Sequence, residues 1–89
     1  MRAKKIRYHL NGDFMKAAHK KKYRLLGLNI AHYRKLNGYT QESLAEKLNI
    51  DRTTVSKIEL ATCGVSLDLL FDLSDLLEVP IDKLFVFRE

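Results

Sequence analysis

The densest group of hydrogen-bonding side chains in the sequence lies in LAEKLNIDRTTVSKIE, residues 44–59. Positions 52–57 place short hydroxyls between two long cations: Arg52, Thr53, Thr54, Ser56 and Lys57. Helical spacing turns Val55 and Ile58 to one side and most of these polar side chains to the other. Thr and Ser form helices less readily than the Glu, Lys and Gln of most solvated faces. The pattern favours a face that hydrogen-bonds to another molecule, with an ordinary solvated face as the alternative.

The chain in front of this face leaves almost no room for a loop. Two stretches with helical spacing meet at Asn49-Ile50-Asp51. Asn is one of the few residues other than glycine that adopt left-handed backbone geometry, so Asn49 can end one helix and turn the chain at once. We expect Ile50 to fill the corner below the turn and Ala45 to let the two helices approach. The second helix would then be held rigidly across the first, and its polar face would fit a B-DNA major groove, which is about 12 Å wide.

Catalytic chemistry has little support in the sequence. The three histidines and the single cysteine (His9, His19, His32 and Cys63) show neither Cys-x-x-Cys nor His-x-x-x-His spacing. We therefore expect no enzyme activity, no metal site and no cofactor. One cysteine cannot form an intrachain disulfide, and a reduced thiol indicates a cytoplasmic protein. No apolar run approaches the roughly 20 residues that cross a bilayer, and no signal peptide is recognisable, so we expect no membrane contact.

The positive charge is concentrated at the N-terminus. The net charge is +5, but residues 1–22 hold eight basic residues and one acidic residue. The remaining 67 residues hold eight basic and ten acidic residues. Residues 1–22 are therefore either a solvated tail or an arm that binds a polyanion. Within them, Asn11-Gly12 suits a tight turn, which allows a hairpin at residues 6–15, although Met15 could equally be an internal start.

Helical periodicity and capping residues predict an all-α bundle of five short helices from about residue 20 onward. The first runs from about Lys20 to the stop signal Asn37-Gly38. Thr40, Asp51 and Ser66 are predicted N-caps, and Pro80 precedes the last helix. The four later helices are predicted over 41–48, 52 to about 60, 67–78 and 81 to about 86. Residues 61–65 form a loop.

Two helices have predicted core faces. Four first-helix residues recur with helical spacing: Leu26, Ile30, Tyr33 and Leu36. Five leucines of the fourth helix are also predicted to face the core: Leu69, Leu70, Leu73, Leu76 and Leu77. Asp68, Asp72 and Asp75 form an acidic face opposite these leucines.

The segment TQESLAEKLNIDRTTVSKIE resembles the helix-turn-helix of the Cro and phage-repressor type, also called the XRE family. The resemblance extends from LGLNIAHYRKLNGYT before it to VSLDLLFDLSDLLEVPIDKLF after it. It implies a five-helix bundle of the lambda-repressor-like type over residues 23–86. Residues 1–22 would then be a basic arm and residues 87–89 a tail. The implied function is sequence-specific binding of double-stranded DNA in transcriptional regulation, with helix 52–60 in the major groove.

The resemblance also implies residue roles. Base readout falls to Arg52, Thr53 and Lys57. Contacts with phosphates or base edges fall to Thr40, Gln41, Thr54, Ser56 and Thr62. Arg34 and Glu59 match a buried ion pair that ties the first helix to the recognition helix. Structural roles fall to Asn49, Ala45, Ile50, Val55 and Ile58.

The sequence departs from the family pattern at three positions that bear on phosphate contacts or capping. Leu60 replaces a polar residue near the expected path of the DNA backbone. Ala31 stands where a basic residue is frequent, and Pro80 stands where Ser or Thr usually caps a helix. The N-terminal basic arm could compensate for the weaker phosphate contacts.

Assembly and partners are open from the sequence. Family members commonly bind paired half-sites as homodimers. The apolar residues of LFVFRE, or else Phe71, are candidate dimer contacts. Alternatives to a repressor are an antitoxin-like protein that binds a partner protein and autoregulates its operon, and RNA binding through the arm.

Overall fold

The computed structural model describes residues 16–87, and within them the chain is helical with no strand. Four α-helices are joined by short connections: α1 Lys20–Leu36, α2 Gln41–Leu48, α3 Arg52–Glu59 and α4 Leu67–Leu76. Two 3-10 helices flank them, Ala17–His19 and Ile81–Phe85. The predicted hairpin at residues 6–15, most of the basic arm and the end of the tail lie outside the described residues.

The all-α prediction is confirmed, whereas the five-helix count is not, because the described residues form four α-helices and the predicted last short helix is of another type. The predicted fifth helix is a 3-10 helix, in which the Lys83 N–H bonds to the Pro80 carbonyl three residues back. Val86 already has extended backbone geometry. So short a segment has too few residues for repeated α-helical bonds, and 3-10 geometry is common in pieces of this length. α3 ends at Glu59, close to the predicted end at about residue 60, whereas α4 ends at Leu76, two residues earlier than predicted.

All four α-helices end in the same way, with one residue in left-handed geometry. These residues are Gly38, Asn49, Ala61 and Glu78, with φ of 79°, 58°, 59° and 52°. At the end of α4 the Val79 N–H bonds to the Ser74 carbonyl at 3.1 Å and the Glu78 N–H to the Asp75 carbonyl at 3.3 Å. This pair of bonds is the Schellman arrangement, which satisfies carbonyls that a helix end would leave open.

The core is one cluster shared by all four helices. It includes Leu26 and Ile30 of α1, Leu44 of α2 and Leu73 of α4. The prediction that Leu36 joins this face is wrong, because its side chain is 71% exposed. At 3.6 residues per turn, ten residues bring Leu36 about 80° away from Leu26 around the helix.

The leucine stripe of α4 is narrower than predicted. Leu70, Leu73 and Leu77 are buried, whereas Leu69 and Leu76 are only half-buried at its edge. The last core residue, Leu84, lies in the 3-10 helix and has no exposed surface. Among the described residues, none of the helices combines the length and apolar character needed to cross a membrane.

Candidate DNA-binding surface

α3 separates its residues into a polar outer face and a buried inner face. Arg52, Thr53 and Lys57 are exposed. Thr54 and Ser56 are half-buried beside them, and the inner face consists of Val55, Ile58 and Glu59, all buried. The residues predicted to read bases therefore lie together on the outside of a helix whose other side is fixed in the core.

The turn between α2 and α3 has the geometry that Asn49 suggested. Asn49 adopts φ 58° and ψ 44°, and the next N–H, from Ile50, bonds to the Ala45 carbonyl at 3.0 Å. Ala45 is buried, and the half-buried Ile50 packs against the core. Asp51 occupies the N-cap position of α3, but its side chain makes no capping hydrogen bond. The orientation of α3 thus depends on the turn and on packing rather than on this cap.

The N-terminus of α2 is fixed by reciprocal hydrogen bonds. The Ser43 N–H donates to Thr40 Oγ1 and the Thr40 N–H donates to Ser43 Oγ, both at 2.9 Å. This capping box holds the first turn of α2 in place. Its exposed Thr40 side chain is one of the predicted phosphate contacts, and Gln41 follows it directly.

A buried ion pair ties α1 to the end of α3. Arg34 Nε lies 2.6 Å from Glu59 Oε2, and Arg34 Nη2 lies 3.1 Å from Glu59 Oε1. The two side chains are 9% and 6% exposed. Arg34 Nη1 also donates to the Tyr39 carbonyl at 2.9 Å. Two parallel bonds between a planar guanidinium and a carboxylate restrain both direction and distance, so the pair fixes the last turn of α3 against α1.

The Gln41 side chain, which was predicted to contact a phosphate, makes a hydrogen bond within the protein. Its Nε2 donates to Glu59 Oε1 at 3.0 Å, and the side chain is half-buried. A primary amide has two N–H groups and one oxygen, so this bond occupies only part of its capacity. Gln41 therefore connects the start of α2 to the ion pair, and its second N–H remains the candidate for a phosphate.

The last predicted phosphate contact, Thr62, lies just after α3. Its N–H and its hydroxyl both donate to the Lys57 carbonyl, at 2.9 and 3.3 Å. Thr62 is exposed, whereas Ala61 before it is buried in left-handed geometry. Thr62 is thus held at the same end of α3 as the exposed Leu60.

Gly27 is a structural residue that sequence reasoning missed. An added Cβ at Gly27 would lie 2.6 Å from both the Ile58 and the Glu59 carbonyl oxygens. The backbone of α1 therefore touches the end of α3 directly. A glycine inside a helix costs about 1 kcal/mol of stability relative to alanine. A glycine in the middle of α1 was therefore the one sign in the sequence that another part of the chain packs closely against this position.

Asn29 is a second residue that sequence reasoning missed. It is 4% exposed, and its Nδ2 lies 2.8 Å from the Leu84 carbonyl and 3.0 Å from the Val86 carbonyl. These bonds attach the C-terminal segment to α1. A lone Asn between Leu28 and Ile30 gave no sign of a partner 55 residues away.

Charge is unequally distributed along the described chain. Residues 16–59 hold ten basic and four acidic residues, whereas residues 60–87 hold one basic and five acidic residues. α3 therefore belongs to the basic part and α4 to the acidic part. Cys63 is buried, and the described residues contain no group of His, Cys, Asp or Glu that could hold a metal ion.

Comparisons with known proteins agree with this geometry. The helix-turn-helix family model matches residues 30–84. An uncharacterised helix-turn-helix transcriptional regulator from Methanocaldococcus jannaschii is 35% identical over 60 residues, which is 67% of this chain and 91% of that protein.

Solved structures give the same result. The restriction-modification controller protein C.AhdI from Aeromonas hydrophila is 28% identical with a TM-score of 0.69, over 73% of this chain and 98% of that one. SinR, a master regulator for biofilm formation solved in complex with DNA, is 33% identical with a TM-score of 0.61, over 66% and 95% of the two chains. The chain belongs to the XRE-type helix-turn-helix family of DNA-binding transcriptional regulators.

Proposed function

We propose that this protein is a sequence-specific repressor that places α3 in the major groove of double-stranded DNA. The observation that carries the proposal is the exposed face of Arg52, Thr53 and Lys57 on a helix whose other face is locked in the core. Such side chains reach base edges in a groove about 12 Å wide. Repression is the expected result, because a bound domain occludes the DNA that it covers. Its site of action would be the cytoplasm.

Phosphate contacts would come from both sides of α3. Thr40 and Gln41 lie at the start of α2, where helix N–H groups and the positive end of the dipole favour an anion. Thr54 and Ser56 flank the base-reading face, and Thr62 follows the helix. These contacts would fix the register of α3 on the duplex, and the three base-reading side chains would supply the sequence preference.

We further propose that the regulator binds as a homodimer on paired half-sites about 34 Å apart, one turn of DNA. Support comes from the C-terminal segment, where Val86 is 59% exposed although Asn29 holds its carbonyl in place. An exposed apolar side chain on a backbone held in this way suits contact with the same segment of a second copy. Analytical ultracentrifugation of the full chain and of Val86→Glu would test the dimer, and a monomeric full chain on operator DNA would contradict it.

The experiment that tests DNA reading is a gel shift with the DNA upstream of the protein's own gene against a scrambled competitor. At roughly physiological salt we expect specific binding that Lys57→Ala weakens. Lys83→Ala, which removes the same charge from the acidic half of the chain, is the matched control and should bind like the parent. Equal affinity for both DNAs, unchanged by Lys57→Ala, would overturn the proposal, because charge-only binding responds to salt and not to sequence.

The second candidate function is an antitoxin-like role in which a partner protein binds α4 and the complex autoregulates its operon. The observation in its favour is Phe71, a residue that is 52% exposed among the aspartates of α4. Co-purification with the product of an adjacent gene, lost in Phe71→Ser but retained in Lys57→Ala, would support this role.

A further inference from the structure

An apolar groove lies on the side of the molecule formed by α1, the start of α4 and the C-terminal segment. It has a volume of about 340 Å³. Its apolar walls are Leu26, Val65, Leu67, Leu70, Phe85 and Phe87. Leu67 is 66% exposed and Phe85 47% exposed, so the groove leaves a large apolar area without cover from the described residues.

The aromatic wall of the groove lies on the C-terminal segment whose backbone carbonyls Asn29 bonds to α1. The Phe85 and Phe87 rings stand edge to face with centroids 6.4 Å apart. Both line the groove, whereas the intervening Val86 does not. Successive side chains of an extended segment point to opposite sides. A dimer contact through Val86 and an occupant of the groove would therefore use opposite sides of the same segment.

The surface continues from the groove around α4 and becomes acidic. Around the axis of α4, at 3.6 residues per turn, Phe71 lies about 40° from Leu67, and Asp68 lies about 60° further in the same direction. Asp72 and Asp75 lie near Asp68 on this exposed side. An occupant that runs along this path would thus meet apolar side chains first and carboxylates next.

We infer that the occupant is the chain's own N-terminal segment, residues 1–15. The groove opens beside the point where that segment joins the described chain, because His19, Lys22 and Tyr23 line it and Lys16 is three residues before His19. Fifteen residues reach up to about 50 Å, well beyond the roughly 15 Å length of α4. The segment is therefore long enough to extend from the groove along the whole of α4.

The order of residues in the segment matches the order of the surface. Leu10 and Phe14, nearest the junction, supply apolar side chains for the groove. The four cations, Arg2, Lys4, Lys5 and Arg7, are farther from the junction and fall where the α4 carboxylates lie. This placement puts the basic segment on the acidic side of the domain, in contrast to its use as a DNA-binding arm.

The test is paramagnetic relaxation by a nitroxide at position 3 of the full chain. Ala3→Cys adds the labelling site without removing a charge, and the parent chain reports any labelling of the buried Cys63. We expect loss of amide signals across residues 65–75, with the signals of residues 52–57 retained. The signals should return when the salt is raised, because the Debye length falls from about 10 Å at about 0.1 M to about 3 Å at about 1 M.

Matched variants separate this contact from general charge effects. Asp68→Asn with Asp72→Asn should restore the lost signals, whereas Glu42→Gln with Glu46→Gln, on the exposed side of α2, should not. Phe14→Ser should restore them as well. Signal loss centred on residues 52–57, no loss above the parent, or loss only in a mixture of labelled and isotope-enriched chains would each overturn the inference, the last in favour of a second copy.

Discussion

The Gln41 amide donates to Glu59 Oε1 at 3.0 Å, the same oxygen that accepts a bond from Arg34 at 3.1 Å. Glu59 therefore joins the start of α2 and the last part of α1 to the last turn of α3. One carboxylate thereby fixes α3 to both of its helical neighbours. Its role follows from burial, since a carboxylate that is 6% exposed requires partners that compensate its lost hydration.

Glu59→Ala is expected to lower the free energy of unfolding by about 2–4 kcal/mol, because it leaves the Arg34 guanidinium buried without its counterion. Urea denaturation followed by circular dichroism measures the change. The exposed Glu42→Ala serves as the control and should change stability by less than about 0.5 kcal/mol. Replacing both partners, Arg34→Met with Glu59→Met, should cost less than the sum of the single changes. A loss below about 0.5 kcal/mol in Glu59→Ala would contradict the account, since removing a partner of a buried pair is strongly destabilising.

Gly27→Ala is expected to destabilise the protein although alanine is the better helix former. The new methyl group would lie 2.6 Å from two backbone carbonyl oxygens, which cannot rotate away as a side chain can. Overpacking of this kind costs typically about 1–3 kcal/mol. Thermal unfolding should show the loss, and the neighbouring Leu28→Ala, at a 58% exposed position, should not. A rise in melting temperature for Gly27→Ala would mean that α1 and α3 are farther apart than described.

Glu78→Gly is expected to stabilise the protein by about 0.5–1 kcal/mol, because glycine adopts left-handed geometry without the steric cost borne by other residues. Glu78 has φ 52°, is exposed and ends α4 in a Schellman arrangement. Glu46→Gly, at an exposed position inside α2, should instead destabilise by about 1 kcal/mol. Equal losses in the two variants would argue against left-handed geometry at position 78.

The features that were predicted correctly are those determined by residues close together in the sequence. Asn49 and the Thr40 cap mark their helix boundaries in neighbouring residues, so α2 and the turn after it follow from the sequence. The family resemblance supplied the Arg34–Glu59 pairing, which spans 25 positions and has no local signature. Position 78 was not predicted correctly, because a glutamate gives no indication of left-handed geometry. The end of α4 was therefore predicted at residue 78, two residues beyond its end at Leu76.

Contacts over long separations could not be predicted. Asn29 bonds to carbonyls 55 and 57 positions away, and a backbone acceptor carries no sequence signal at all. The prediction for Leu36 was wrong for a different reason. Its side chain is apolar like those of the core face of α1, but its position around the helix axis turns it away from that face. The sequence therefore indicated the exposed polar face of α3 but not the contacts that support this helix from behind.

Arg52→Ala is expected to reduce discrimination between operator and scrambled DNA by about 1–3 kcal/mol if Arg52 forms a bidentate contact with a guanine. Arg52 is exposed at the first position of α3, so its removal leaves the core unchanged and stability should be preserved. Fluorescence anisotropy titrations on both DNAs at one fixed salt concentration measure the two affinities. The loss should concentrate on one base pair, so an operator altered at that position should bind parent and variant alike. An equal fall in affinity for operator and scrambled DNA would instead assign Arg52 to phosphate, because phosphate contacts weaken binding uniformly across sequences.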